Sequence, residues 1–184
     1  MNITKLQKVP VEHYPNKVPE KPLVSVCVQT YQHADFIKQC LDSILMQQTN
    51  FDFEILLGED ESTDGTKEIC IEYAEKHPDK IRLFLHKREN VIHIGGHPTG
   101  RFNMLYNLNE ARGKYIALCE GDDYWTDPLK LQKQVDFLEK NNAFDICACR
   151  TQVFNLFNDN KSEILPGKSG IYKIQDYIIL NTKN

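Results

Sequence analysis

Apolar and polar residues follow one another along this chain in blocks that predict strands alternating with helices. Short apolar runs of the kind typical of buried parallel strands occupy residues 23–28, 51–57, 81–85 and 115–119. Apolar residues recur at helical spacing between and after them, which predicts helices over about 35–47, 66–77, 101–111 and 128–140. This alternation predicts the α/β class, with a Rossmann-like, largely parallel sheet flanked by helices.

The two ends of the chain depart from this pattern. Residues 1–22 are polar and contain four prolines, so we expect an extended leader before a domain that covers residues 23–184. Residues 144–149 alternate like a strand with one buried face, and residues 170–173 and 174–180 suggest a further element and a short helix.

Composition narrows the function classes. With 41% hydrophobic residues the chain can bury a core, and its net charge of −4 disfavours a nucleic-acid surface. No signal peptide is visible and no apolar run approaches the roughly 20 residues that span a bilayer, so we expect a cytoplasmic protein. The six cysteines form no Cys-x-x-Cys pair, which indicates reduced core thiols. A metal site at Cys147 and Cys149, on one face of a predicted strand, is the weaker alternative.

A cluster of carboxylates lies between the fourth predicted strand and the helix after it. Glu120, Asp122 and Asp123 are closely spaced, and Asp127-Pro128 reads as the start of the helix. Ligands of open α/β sheets bind at this edge, beyond the carboxyl ends of the strands. Carboxylates this close repel one another unless a cation lies among them, and a divalent metal carrying a phosphate suits their oxygen ligands. A solvated acidic turn is the alternative for the motif taken alone.

Polar residues also follow the first two predicted strands. Tyr31 follows the first, where it could stack on a flat ligand or pack as a rim aromatic. Glu59 and Asp60 follow the second, where a carboxylate can accept a hydrogen bond from a base imide or a ribose hydroxyl. Arg101 opens a helix whose unpaired N–H groups also favour an anion. One edge of the sheet could therefore hold a base, a ribose and a metal-bound pyrophosphate.

Two common phosphate-binding motifs are missing. No Gly-x-Gly-x-x-Gly follows the first strand, which disfavours a dinucleotide-binding fold. No complete P-loop occurs, because Gly167-Lys168-Ser169 has Ser162 where that motif has its first glycine. A nucleoside diphosphate bound through a metal is the interpretation that remains.

The order of these motifs resembles the family-2 glycosyltransferases, inverting enzymes with the type A nucleotide-sugar fold. Residues 59–66 resemble the family's Asp-Asp-x-Ser-x-Asp-Gly-Thr, and residues 120–123 resemble its Asp-x-Asp metal motif, with Trp125 and Pro128 in register. Further matches are residues 24–32, 100–103 and 111–116. The resemblance covers about residues 23–142, and it implies that the chain lacks the acceptor half of the domain.

The resemblance implies a role for each matching residue on the donor side. Thr30 and Tyr31 would line the nucleobase pocket, with Tyr31 stacking on the base. Asp60 would hold the base with help from Glu59. Arg101 would approach the nucleotide or its phosphates.

The metal and the reaction follow from the same resemblance. Asp122 would touch the ribose or donor sugar. Asp123 would coordinate Mn²⁺ or Mg²⁺ bridging the diphosphate, together with Glu120. The expected reaction is inverting transfer from a nucleotide-diphosphate sugar to a saccharide or lipid-linked acceptor in bacterial surface polysaccharide synthesis. The expected nucleotide of the donor is UDP. Parts outside these residues could attach the protein to the inner face of the membrane. Trp125 would either wall the donor sugar or pack in the core.

The chain departs from the family pattern at three places. Gln29 and Gln32 replace the usual Thr and Asn, and Glu120 replaces the first Asp of the metal motif on a longer arm. The acids available downstream give no convincing acceptor-activating base, so we expect the catalytic base beyond Asn184; those acids are Asp159, Glu163 and Asp176. A non-catalytic nucleotide-sugar-binding module is therefore an alternative. A nucleotidyltransferase is less favoured, because residues 29–35 contain no Gly, Lys or Arg.

Overall fold

The computed structural model describes residues 3–149, 151–154 and 161–164, in two compact units over residues 1–135 and 136–184. The strands of the first unit are β1 Glu12–His13, β2 Val24–Thr30, β3 Phe53–Glu59, β4 Ile81–Leu85, β5 Ile92–Ile94, β6 His97–Thr99 and β7 Tyr115–Leu118. The helices are α1 Ile37–Leu45, α2 Thr66–Lys76, α3 Arg101–Glu110 and α4 Lys130–Lys140. Two further strands, β8 Thr151–Phe154 and β9 Lys161–Ile164, pair antiparallel with each other.

The main sheet has the strand order β1-β4-β3-β2-β7. The pairs β2–β3, β2–β7 and β3–β4 are parallel, and only the short edge strand β1 runs antiparallel to its neighbour. This confirms the predicted largely parallel sheet flanked by helices. The alternating side chains of the central strands are buried on both faces, which is why the sequence shows continuous apolar runs.

Each face of the sheet has its own core. On one face, Val26, Val28 and Ile55 pack with Ile37 and Leu41 of α1. The opposite face carries Cys27, Leu56 and Phe84 against α3, and the side chains that α3 contributes are Phe102 and Tyr106. The predicted core thiols Cys27, Cys40, Cys70 and Cys119 are buried and free.

The predicted strand over residues 144–149 is wrong. Nothing regular forms there, and Ile146, which the alternation placed on a buried face, is 64% exposed. An alternating pattern makes a strand only where a partner supplies backbone hydrogen bonds, and no strand within the described ranges pairs with this segment. Cys147 is half-buried and Cys149 exposed, so neither is the core thiol that was expected. The elements expected at 170–173 and 174–180 lie outside the described residues.

The loop expected over residues 86–100 contains more structure than the sequence suggested. A 3-10 turn over Arg88–Asn90 leads into the hairpin β5–β6. Gly95 and Gly96 form its turn with φ of 58° and 82°, values that glycine adopts without strain. The sequence signal was the Gly-Gly pair between short apolar and polar runs.

Residues 3–13 of the leader pack on the domain. Ile3 is buried against α3 and the adjacent sheet face, and β1 pairs with β4. The buried side chain of Asn90 ties down the segment between them. Its Oδ1 accepts the N–H groups of Lys8 at 2.8 Å and Val9 at 3.0 Å, while its Nδ2 donates to the carbonyl of Val9 at 3.0 Å.

A buried ionic network joins β3, β4 and the end of α3. Glu54, with 0% exposure, accepts hydrogen bonds from the Ser25 hydroxyl at 2.7 Å and from Arg82 Nη1 at 3.2 Å. Arg82 also donates to the carbonyl and the carboxylate of Glu110, at 2.8 Å and 3.0 Å. The N–H of Arg112 reaches Glu54 as well, so one carboxylate fixes the connection between α3 and β7.

His86 is buried without a hydrogen bond, and this makes stability depend on pH. The ring is 2% exposed between Phe102 and Tyr106, and neither nitrogen has a hydrogen-bond partner among residues whose positions are described. Burial, and secondarily His13, lowers the pKa of His86 to about 4. Because the folded pKa lies below the unfolded value, the stabilising contribution is complete above about pH 6.5 and is lost as the pH falls through about 4.

We expect His86→Phe to remove this acid sensitivity. Phenylalanine keeps the aromatic contacts and has no proton to bind. Between pH 7 and pH 4.5 the variant should lose about 2 kcal/mol less unfolding free energy than the unsubstituted chain. Urea unfolding at both pH values measures this, with the exposed His97→Phe as the control. Equal losses in all three proteins would contradict the assignment.

Candidate functional site

The carboxyl ends of β2, β3 and β7 meet at one edge of the sheet. Thr30 lies opposite Glu59 in the parallel register, and the N–H of Asp60 donates to the carbonyl of Thr30 at 3.1 Å. On the other side of β2, the N–H of Gly121 donates to the carbonyl of Gln29 at 2.9 Å. The two acidic clusters predicted from the sequence therefore flank the same strand.

Asp60, Tyr31 and Arg88 form one side of this edge. Asp60 is only 3% exposed, and its Oδ2 accepts a hydrogen bond from Arg88 Nη1 at 3.2 Å. The same guanidinium lies 4.0 Å from the centre of the Tyr31 ring. Burial raises the pKa of Asp60 to about 6, with Glu59 and Glu61 adding to the rise and Arg88 opposing it.

Glu59 shapes the loop that carries Asp60. Its side chain is fully buried, and its two carboxylate oxygens accept the N–H groups of Ser62 at 2.7 Å and Glu61 at 3.1 Å. Glu61 has a φ of 61°, in the left-handed region that such a tight turn requires. A direct contact between Glu59 and a nucleotide would require these bonds to open.

The loop after β2 is fastened to the loop after β3. The side-chain amide of Gln32 donates to the Thr63 hydroxyl at 3.0 Å and accepts the N–H of Thr63 at 3.1 Å. Asp64 accepts the N–H groups of Ala34 and Thr66, both at 3.0 Å. Gln32, which departs from the family pattern, therefore serves to join the two loops.

The second acidic cluster forms the other side of the edge. Asp122 and Asp123 are exposed, and Asp122 Oδ2 lies 3.9 Å from His33 Nε2. Partial burial and the neighbouring Asp122 raise the pKa of Asp123, while His33 opposes the rise. A cation would relieve this repulsion between adjacent carboxylates.

Glu120 faces a small cleft beside this cluster. Its Oε1 accepts a hydrogen bond from Gln29 Nε2 at 3.2 Å. The cleft has a volume of about 190 Å³, and both Glu120 and Arg101 line it. Arg101 is exposed at the first turn of α3, as the sequence predicted.

The donor set is compatible with Mn²⁺ or Mg²⁺, although the protein supplies few ligands. The described residues contain no group of three or more His, Cys, Asp or Glu side chains arranged around a metal position. Mg²⁺-like ions are commonly held by one or two carboxylates together with water and substrate phosphates. The exposed Asp123 and Glu120 fit that kind of site, and within the described residues Cys147 and Cys149 do not form an alternative one.

A glycine is required between the two halves of the site. A Cβ on Gly121 would lie 2.7 Å from Thr30 Oγ1 and 2.8 Å from His33 Nδ1. Thr30 is buried, and neither of these two polar atoms has a hydrogen-bond partner within the described part of the chain.

We expect Gly121→Ala to displace the loop that carries Asp122 and Asp123. The methyl group cannot fit beside Thr30 without moving one of the two segments. Metal-dependent nucleotide affinity should fall by about tenfold or more, a larger effect than that on stability. Calorimetric titration measures the first and urea unfolding the second. Asp79→Ala, which removes an exposed side chain at the opposite end of the strands, is the control. Equal affinities for both variants would contradict this role of Gly121.

Sequence reasoning missed Arg88 and understated His33. Arg88 belongs to the basic pair that follows β4 and His86, and that position alone would have placed it at the same sheet edge. The sequence pattern places His33 in the loop after β2 without indicating that it faces Asp122. Trp125 packs against the core, which supports the second of its two expected roles, and Lys130 Nζ lies 4.0 Å from its ring centre.

A larger cleft of about 470 Å³ lies at the opposite end of the strands. It is lined by Phe53 and Lys80, which stand at the amino ends of β3 and β4. Ligands of open parallel sheets bind at the carboxyl ends, so we assign the candidate site to the other edge.

Comparison with known proteins identifies the family and the fold of this chain. The sequence profile of glycosyl transferase family 2 matches residues 25–183. A protein of Mycobacterium bovis is 40% identical over 124 residues, which are 67% of this chain and 34% of that protein. EpsE of Bacillus subtilis, named as a glycosyltransferase, is 33% identical over 79% of this chain and 49% of its own length. TuaG of Bacillus subtilis, named for teichuronic acid biosynthesis, is 35% identical over 67% of this chain and 45% of its own length.

Solved structures show the same fold. A mannosyltransferase from Pyrobaculum calidifontis, in complex with GDP-Man and Mn²⁺, matches 74% of this chain and 37% of its own at 26% identity and a TM-score of 0.52. TarS of S. aureus matches 65% of this chain and 33% of its own at 24% identity and a TM-score of 0.50.

The residues that match the family profile include the long strands, the four helices and both acidic clusters. This chain spans about a third to a half of the length of the curated relatives it matches. No described helix is both long and apolar enough to cross a bilayer. The chain belongs to glycosyl transferase family 2 and has the type A glycosyltransferase fold.

Proposed function

We propose that this chain is the donor-binding part of an enzyme that transfers a sugar from a nucleotide-diphosphate sugar to an acceptor hydroxyl with inversion. The observation that carries the proposal is the convergence of two acidic clusters on the end of β2, in a chain whose family is established. One cluster offers a buried carboxylate beside an aromatic ring, and the other offers exposed carboxylates for a cation.

The two sides of the site have different tasks in this proposal. Asp60 accepts an N–H of the base, and Thr30 and Tyr31 line the base pocket. Asp122 contacts the ribose or the donor sugar, and Arg101 approaches the phosphates from the first turn of α3. The unpaired backbone N–H groups of that turn favour the binding of an anion such as a phosphate. Glu59 acts by holding the loop of Asp60 in place.

A divalent ion completes the site in this proposal. Asp123 holds Mn²⁺ or Mg²⁺, and Glu120 has a position from which it can contribute a second carboxylate. When bound, the ion neutralises charge on the leaving diphosphate as the sugar–phosphate bond breaks. The chain's own contribution is to place the diphosphate between this carboxylate pair and Arg101.

In this proposal none of the described residues is assigned to the acceptor side. We propose a catalytic carboxylate beyond Asn184, since the matching residues make up only 34% and 49% of the length of two relatives. Asp159 and Asp176 lie outside the described residues, and Glu163 lies in β9. The naming of TuaG for teichuronic acid biosynthesis supports a saccharide or lipid-linked acceptor in surface polysaccharide synthesis. Such an acceptor would place the enzyme in the cytoplasm at the inner face of the membrane.

Nucleotide titration tests the donor site. UDP, GDP, dTDP and CDP are titrated calorimetrically into the 184-residue chain with and without Mn²⁺, and into Asp123→Ala and Asp79→Ala. We expect metal-dependent binding of a nucleotide, with UDP favoured, to weaken at least about tenfold in Asp123→Ala. Asp79 lies at the opposite end of the strands, so its variant should bind normally. The proposal would be refuted if no nucleotide bound, or if the affinity depended neither on Mn²⁺ nor on Asp123.

A further inference from the structure

The side chain of Arg88 contacts two residues that the proposed function assigns to the base pocket. It reaches them from the turn after β4, stacking on Tyr31 at 4.0 Å and pairing with Asp60 at 3.2 Å. The Asp60 side chain is 4% exposed and that of Arg88 is 31% exposed. A guanidinium in this arrangement satisfies a carboxylate that water reaches poorly.

The turn that carries Arg88 is held from two directions. The N–H of Arg88 donates to Glu61 Oε2 at 2.9 Å, and Lys87 Nζ donates to Glu61 Oε1 at 2.8 Å. At the other end of the turn, Asn90 makes its three hydrogen bonds to residues 8 and 9 of the leader. Backbone position, and not only side-chain attraction, therefore sets where the guanidinium lies.

We propose that Arg88 is a positioning and specificity residue of the donor site: it holds Asp60 as an ionised acceptor, so that the site selects a base with a ring N–H and rejects cytosine. This inference rests on the proposed function. Uracil and guanine each present a ring N–H to a carboxylate. The corresponding nitrogen of cytosine carries a lone pair, which an ionised carboxylate repels and a protonated one attracts.

The charges around Asp60 show why a counter-ion is needed. Glu59 and Glu61 approach it from its own strand and loop, and burial disfavours its charged form in the same direction. Arg88 is the cation that opposes them, while Lys87 pairs with Glu61. Tyr31 packs on the guanidinium from the end of β2. Without Arg88, Asp60 would bind a proton nearer to neutral pH and become a hydrogen-bond donor.

Carboxyl titration without nucleotide tests the first half of the inference. The ¹³C shift of the Asp60 carboxyl is followed against pH in the 184-residue chain and in Arg88→Met, Arg88→Lys and Lys87→Met. We expect the Asp60 midpoint to rise by about one pH unit or more in Arg88→Met and to stay near its original value in Arg88→Lys. Lys87→Met removes an equal charge one residue away and should move the midpoint less. An unchanged midpoint in Arg88→Met would overturn the inference.

Binding of UDP, GDP and CDP at several pH values tests the second half. In Arg88→Met, the affinity for the nucleotide with a ring N–H should fall about tenfold per pH unit below the new midpoint and recover above it. Relative affinity for CDP should rise as the pH falls. Loss of affinity at every pH would show a merely structural role and overturn the specificity claim. If the unsubstituted chain binds no nucleotide, the proposed function fails with that claim, while the carboxyl titration still decides whether Arg88 controls the charge of Asp60.

Discussion

Replacing Glu54 by Gln should lower the unfolding free energy of this chain by about 3 kcal/mol, because Arg82 would be left buried with a weakened counter-charge. Arg82 is 4% exposed, and its remaining carboxylate partner, Glu110, lies nearer the surface. The substitution also disturbs the acceptor of the Ser25 hydroxyl and of the Arg112 N–H. Urea unfolding followed by circular dichroism measures the loss.

Two further variants separate charge from packing in this network. Glu75→Gln is the control, since Glu75 lies at the surface, where it accepts a hydrogen bond from Tyr14. It should change stability by less than about 1 kcal/mol. A double change, Glu54→Leu with Arg82→Met, removes both buried charges and should recover part of the loss. If Glu54→Gln behaves like Glu75→Gln, the network does not stabilise the fold as described.

Asp60→Asn should abolish most nucleotide binding. It should also remove the loss of unfolding free energy that Asp60 causes between acid and neutral pH. Asparagine cannot be the ionised acceptor that the base requires, so we expect affinity to fall by about 100-fold. The folded pKa of Asp60, about 6, is above its unfolded value. Its stabilising contribution is therefore complete below about pH 3.9 and is lost as the pH rises through about 6. Between pH 4.5 and pH 7 this contribution to the unfolding free energy falls by about 2 kcal/mol in the unsubstituted chain, and the variant should not show this fall.

The same pH series compares Asp60 with His86. His86 makes the unfolding free energy rise with pH over nearly the same range, because its folded pKa is lowered. We therefore expect the two slopes to offset each other in the unsubstituted chain. Asp60→Asn should make stability increase more steeply with pH, and His86→Phe should make it decrease. Unfolding curves at four pH values measure both slopes. If the two substitutions changed the slope of the unfolding free energy against pH in the same direction, the pKa assignments would be contradicted.

The regular elements could be predicted because each has a characteristic pattern of apolar residues along the sequence. Buried parallel strands give continuous apolar runs, and the four long strands were found at nearly their observed bounds. The predicted strand at 144–149 failed because no strand among the described residues pairs with it. β1 was missed because a strand of two residues has no periodicity. Pairing of β1 depends on β4, which lies about 70 residues further along the chain.

The site could be predicted in part for a similar reason. The parallel topology brings the ends of β2, β3 and β7 together, so Asp60 and Asp123 could be placed at one edge from the sequence. Ion pairs between distant segments could not be placed in this way. Glu54 lay within an apolar run and Arg82 within another, and nothing in either run showed that they meet. Arg88 was missed because its partners follow two other strands.

Asn90 and β1 also bear on how this protein should be produced. A shortened protein that begins at Leu23 would keep every long strand and every acidic residue of the proposed site. It would nevertheless expose the outer edge of β4, where β1 now pairs, and an uncovered strand edge invites sheet-to-sheet aggregation. It would also remove the three hydrogen bonds that Asn90 makes with residues 8 and 9, and with them one anchor of the turn that holds Arg88. Tags and truncations at the amino terminus are therefore best kept outside residues 3–13.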